Sequence, residues 1–185
     1  MTSRLAALAA VPLLALALAG CAGTADDQSG TDASASASAT EAPAVEAGSD
    51  SCEGVRVIVD AGDLEPATDP STDACVGADA PIAALDALAE AGVETEGTEE
   101  YGDQIVCRVN GEPAEDLTIT AADGTEYHET CASMPAAFAY WALWVKTAGG
   151  EWGYAQEGLS TLELAPGESV QLLFTLNDQP ASPAA

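Results

Sequence analysis

Residues 138–154 constrain the fold more than any other stretch. They read Phe138-Ala-Tyr140-Trp141-Ala-Leu143-Trp144-Val145-Lys146, then Thr147-Ala-Gly149-Gly150-Glu151, then Trp152-Gly-Tyr154, and hold six of the nine aromatic residues. Side chains of a strand point alternately to its two sides. Tyr140, Ala142, Trp144 and Lys146 therefore share one face, and Trp141, Leu143 and Val145 the other. Gly149-Gly150 supplies the backbone freedom that a reversal between paired strands requires. The pattern predicts a β-hairpin with rings on both faces. One face of such a hairpin can join a core while the other stays partly open, and large rings are the side chains that dominate recognition surfaces. Tyr140, Trp141, Trp144, Trp152 and Tyr154 are thus the candidate contacts for a ligand or partner.

The 185 residues change character along the chain. Arg4 precedes an apolar run at residues 5–18, which is interrupted by Pro12 and is too short for a membrane span. It has the build of a signal-peptide core. Leu18-Ala19-Gly20-Cys21 resembles the lipobox of bacterial lipoproteins, in which small residues admit a signal peptidase and the cysteine sulfur carries a diacylglyceryl group. The resemblance implies a signal peptide at 1–20, lipidation of Cys21, and anchoring on the extracytoplasmic face of the cell membrane. Two acyl chains are enough for stable anchoring where one is marginal.

Residues 21–51 form an acidic tether rich in Ala, Ser, Thr, Gly and Asp. They include Ala33-Ser-Ala-Ser-Ala-Ser-Ala-Thr40 and almost no bulky apolar side chain, so they are expected to be disordered. Loss of Arg4 with the signal peptide leaves three basic residues against 31 acidic ones, moving the formal charge from −27 to −28. A field of that sign repels phosphate backbones and anionic head groups, so nucleic acid is excluded as a partner.

The folded part is expected at 52–176. Val55, Val57 and Val59 alternate along a first strand, and residues 73–76 suit a short return. Asp79 as cap, Pro81 in the first turn, an apolar stripe of Ile82, Leu85, Leu88 and Ala89, and a terminating Gly92 predict the main helix. Residues 93–102 read as an acidic loop and 104–110 as a strand. Leu117-Thr-Ile119-Thr120 and Thr125-Glu-Tyr127-His128 flank Asp123-Gly124 as a second hairpin. Residues 160–164 and 170–175 bracket a Pro166-Gly167 turn, with the last strand returning beside an earlier one. Residues 177–185 are expected to be a frayed, disordered tail.

Beyond Cys21 there are four cysteines, an even number in an oxidising compartment, which predicts two disulfides. Three pairings are possible. Cys52–Cys75, bracketing the first hairpin, and Cys107–Cys131, closing the segment of the second, are favoured; each loop is worth about 3 kcal/mol by chain entropy. No Cys-x-x-Cys pair is present to nucleate a zinc site. Asp60, Asp63, Asp69 and Asp73 lack the alternating order of a calcium loop, so no metal is expected. His128 is the only histidine. Ser133 or Ser160 could stand beside it in a hydrolase, but no Gly-x-Ser-x-Gly elbow or defined trio appears, and no catalytic residue is assigned.

Val55 to Asp60 with the acidic turn after it, the Ala-Leu helix, Val106-Cys107-Arg108-Val109-Asn110-Gly111-Glu-Pro113, Tyr140-Trp141 with Trp144, Gly149-Gly150-x-Trp152-x-Tyr154, Gly158 and Pro166-Gly167-Glu-Ser-Val170 together resemble a family of actinobacterial secreted proteins. That family is similar to the domain of unknown function related to the C-terminal β-domain of transcobalamin. The resemblance implies an α+β fold, a β-grasp-like mixed sheet crossed by one main helix, and carries no catalytic residues. In the vitamin carriers the small domain covers one side of a corrinoid held by a larger helical domain, which has no counterpart in these residues, and the pairs at 117–128 are an addition. The resemblance also implies association with vitamin or cation uptake systems.

The resulting expectation is a membrane-anchored, non-enzymatic binding module, accessory to vitamin, cofactor or cation uptake. Its partners would be a transporter or envelope protein and a small planar ligand such as a corrinoid. An envelope structural or protein-interaction lipoprotein and an extracytoplasmic hydrolase are the alternatives. The anchor is tested by mass spectrometry of the N-terminal peptide from producing cells. A diacylated Cys21 is expected, with acylation abolished in Cys21→Ala; an unmodified thiol at position 21 in the wild type contradicts it.

Overall fold

The computed structural model describes residues 52–184. The signal peptide expected at 1–20, the lipidation expected at Cys21 and the tether expected at 21–51 lie outside the described residues. In chain order the elements are β1 (Val55–Asp60), β2 (Thr72–Val76), β3 (Ile82–Ala83), α1 (Ala84–Glu90), β4 (Thr95–Thr98), β5 (Gly102–Val109), β6 (Ile119–Thr120), β7 (Glu126–Tyr127), β8 (Ala139–Lys146), β9 (Trp152–Tyr154), β10 (Glu163–Leu164) and β11 (Ser169–Leu176).

The main sheet has the order β2-β1-β11-β8-β9. β1 and β11 run parallel at its centre, Val57 opposite Val170 and Val59 opposite Leu172, and the other pairings are antiparallel. An N-terminal hairpin, a last strand inserted parallel to the first, and a helix on one face make this an α+β sheet of β-grasp type. β11 reads Ser-Val-Gln-Leu-Leu-Phe-Thr-Leu and is buried over its six middle residues, as a strand covered on both faces must be. β1 alternates buried and half-buried, so its valines face one way only.

The first face of the sheet carries the principal core. Val55, Val57 and Val59 meet Val170, Leu172 and Phe174, with Trp141 from β8, Ala84, Ala87 and Leu88 from α1, and Val106, Val109 and Ile119 from the small ribbons. The second face carries a smaller cluster of Ala142, Trp144 and Leu173, with Tyr140 and Trp152 against it. The division of β8 between these clusters follows the predicted alternation. Disulfides join Cys52 to Cys75 and Cys107 to Cys131, with Cα separations of 5.6 and 5.5 Å.

Four expectations are corrected. The helix is shorter than 79–92: Ile82–Ala83 is a strand paired with Leu164 and Glu163, and the Ala84 N–H donates to Leu162 O at 2.9 Å. Asp79 does not cap it, because the N-cap is Ala83, with no side-chain bond. The predicted end holds. Gly92 takes φ +76° and the Val93 N–H donates to Leu88 O at 2.9 Å, closing the helix as a left-handed glycine cap does. Part of the expected loop 93–102 is β4, paired with β5, and Gly97 sits so close to the Gly102 carbonyl that any Cβ would collide. Residues 163–164 pair with β3 and not with β11.

The fourth correction concerns the tail. Asn177 and Asp178 adopt φ of 52° and 64°, and Leu176 and Gln179 exchange backbone hydrogen bonds of 2.7 and 2.9 Å. The chain thus turns back on the sheet where fraying was expected. Among the described residues no helix is long and apolar enough to cross a membrane.

Phe174 is 1% exposed and meets the Trp141 ring edge-on at 5.2 Å. Phe174→Ala is expected to cost about 3–5 kcal/mol in chemical denaturation, and a loss below about 1 kcal/mol contradicts this account of the core.

Candidate functional site

The β8–β9 hairpin turns at Thr147–Gly150, where the Gly150 N–H donates to Thr147 O at 2.8 Å and Gly149 has φ +70°. Cross-strand register sets Trp144 opposite Tyr154 and Lys146 opposite Trp152. The five candidate rings then part company. Trp141 belongs to the principal core. It is 6% exposed, donates Nε1–H to Glu112 O at 3.0 Å and packs on Phe174, so it is not a surface contact. Its indole nitrogen has found a backbone acceptor, as a buried indole usually does.

The other four rings lie on the second face. Trp144 stacks on Tyr154 with centroids 3.9 Å apart and planes at 26°. Trp144 is 6% exposed and Tyr154 52%, so the pair presents one ring to solvent and hides the other. Trp152 is half-buried, with Lys146 Nζ 5.9 Å from its ring. Tyr140 is half-buried too, and burial, then its contact with Tyr154, raises its hydroxyl above the ordinary range. The Trp144 Nε1–H is buried without an acceptor.

Beside Trp152 lies a groove of about 580 Å³, lined by Arg56, Ile58, Lys146, Trp152, Gln171 and Ala184 among others. Two of the three basic residues among those described thus border one depression, accompanied by Asp60 and Glu168. Arg56 grips Asp73 through Nε and Nη2 at 2.9 and 2.8 Å, and that contact holds the Asp73 carboxyl below its ordinary range. The third cation, Arg108, is committed elsewhere: to Glu96 at 2.9 Å, Pro113 O at 2.9 Å and Glu129 O at 2.7 Å.

Other chemistry weighed from sequence is not assembled. His128 is exposed, its Nε2 3.5 Å from Thr118 Oγ1, while Ser133 bonds Glu100 and Ser160 is exposed. Three of the four aspartates considered for calcium have other partners: Asp60 accepts from Gly62 N at 2.9 Å, Asp69 from Ser71 N at 3.0 Å, and Asp73 faces Arg56. Cys107, Glu129 and Cys131 lie together, but the sulfurs are bonded to each other. The Glu129 oxygens accept from the Tyr127 hydroxyl at 2.6 Å and the Cys131 N–H at 2.7 Å. This is a buried carboxylate satisfied by its neighbours.

Sequence reasoning missed Arg56, Ile58 and Gln171. The last had a visible signal, being the single polar side chain inside the apolar run 170–174. The chain matches no protein-family model, and comparison with curated proteins and with solved structures finds no match.

Burial, then the bond to Glu129, pushes the Tyr127 hydroxyl from 10.0 up to about 12. The folded value lies above the unfolded one, so the contribution is whole below pH 10 and lost as pH rises toward 12. Denaturation midpoints measured across that window should fall less in Tyr127→Phe than in the wild type; equal slopes contradict the assignment.

Proposed function

We propose that this chain is an extracytoplasmic lipoprotein, held to the membrane through Cys21, whose folded domain is a non-enzymatic binding module for a small planar ligand. The observation that carries the reading is the second sheet face. There Tyr140, Trp152 and Tyr154 remain accessible around the buried Trp144, and Trp152 borders a groove of about 580 Å³. That volume falls within the range of about 300–1,000 Å³ for small-molecule sites. Flat rings stack on flat ligands, and Lys146 at the same groove offers a donor to polar substituents.

The resemblance to the domain of unknown function related to the C-terminal β-domain of transcobalamin supports the same ligand class, since in the vitamin carriers that small domain covers one side of a corrinoid. An acidic tether that spaces the domain from the bilayer suits an accessory to vitamin, cofactor or cation uptake, delivering its ligand to a transporter.

Tryptophan emission titrated with cobalamin, haem and thiamine tests the proposal. At least one should change the emission saturably, and Trp152→Ala should weaken that binding about tenfold, or about 1.4 kcal/mol. No response to any of the three, or undiminished binding by Trp152→Ala, counts against it.

A further inference from the structure

The chain's own end lies against part of the second face of the main sheet. Its cluster draws on β8, β9 and β11, and among the described residues no side chain of α1 or of the small ribbons belongs to it. Yet Leu173 is 0% exposed, and Gln171 and Thr175 are 4% exposed. Residues 177–184 lie back over this region. Pro180 O accepts from Thr175 Oγ1 at 3.4 Å, Pro183 is buried, and Ala184 lines the groove with Ile58, Trp152 and Gln171.

The two halves of this segment are held differently. Asn177 is fixed through three bonds: its N–H to Phe138 O at 2.7 Å, its Oδ1 from Ala122 N–H at 2.8 Å, and its Nδ2 to Thr120 O at 3.3 Å. Gln179 adds the bridge to Leu176. The Pro180 ring closes against Gly62, where an added Cβ would meet its Cδ at 2.9 Å. Past Pro180, no hydrogen bond among the described residues involves residues 181–184, and Pro183 is held there by burial. Proline at 180 and 183 narrows the freedom the chain loses on seating, which lets so short a segment stay down.

We propose that residues 181–184 are a displaceable strap, hinged at 177–180, and that ligand reaches the floor of the groove when the strap lifts. The inference rests on reading that face as the ligand surface. Lifting would bare Leu173 and the Gln171 amide, with Trp144 opposite Gln171 in the β8–β11 ladder. The Trp144 Nε1–H, a buried donor without an acceptor, is the group a polar ligand atom would satisfy there.

The test uses the full chain with Pro183→Asp, which unseats a buried ring, and Pro180→Gly, which loosens the hinge side without removing a buried group. Acrylamide quenching of tryptophan emission, without ligand, should rise in both. Affinity for cobalamin or haem should also rise, by about tenfold if the seated state holds about nine-tenths of the wild type. Unchanged quenching in both variants overturns the strap, as does raised quenching with unchanged or weaker binding of a compound that the wild type binds. Raised quenching with no compound binding either protein supports the strap as a cover and overturns the ligand reading alone.

Discussion

Everything in this domain depends on the parallel ladder between β1 and β11, which joins the two ends of the folded chain at the centre of the sheet. Burying β11 on both faces forces its sequence to be apolar nearly throughout, and it forces β1 and β8 to divide their side chains between two layers. Long-range parallel pairing closes a large loop before any contact rewards it, a costly step in chain entropy. The two disulfides reduce that cost by cross-linking the chain at sequence separations of 23 and 24.

The ladder also makes the two faces unequal. Helix and ribbons all join the first face, and the valines of β1 with Leu172 and Phe174 form a dry core there. On the second face the same strands present Arg56, Ile58, Gln171 and Lys146, side chains that serve a groove better than a core. In a chain so acidic, two cations bordering one depression set it apart from the solvated carboxylates that make up most of the charge. Trp152 lines the groove from the hairpin, and the stacked Trp144–Tyr154 pair adds ring surface to the same hairpin.

What the sequence disclosed was whatever local pattern decides. Alternation in β1 and β8, the Gly149-Gly150 reversal and the glycine end of α1 all rest on neighbours in sequence, and all are present. The first turn of the helix was misread because an apolar residue at Ile82 fits either a helix stripe or a strand, and the partner that decides, Leu162 to Leu164, lies far along the chain. β4 has no apolar run to betray it; its pairing depends on the missing Cβ of Gly97. Alternation sorted Trp141 from Trp144 but could not say which face would be the deeper, and Trp141 lost its place at the surface to the core. Ile58 and Gln171 are set opposite each other only by the parallel ladder, so no spacing rule could have joined them. The tail owes its order to Thr175, Gly62 and Asn177, not to its own composition.

The central claim is that recognition belongs to the second face and core packing to the first. Indole N–H resonances of the three tryptophans report on both at once during addition of cobalamin or haem. The account requires Trp152 and Trp144 to shift with ligand while Trp141, bonded to Glu112 O, stays in place. A shift confined to Trp141, or no shift in any of the three while binding is seen by another method, would put the ligand somewhere else and contradict the assignment of the two faces.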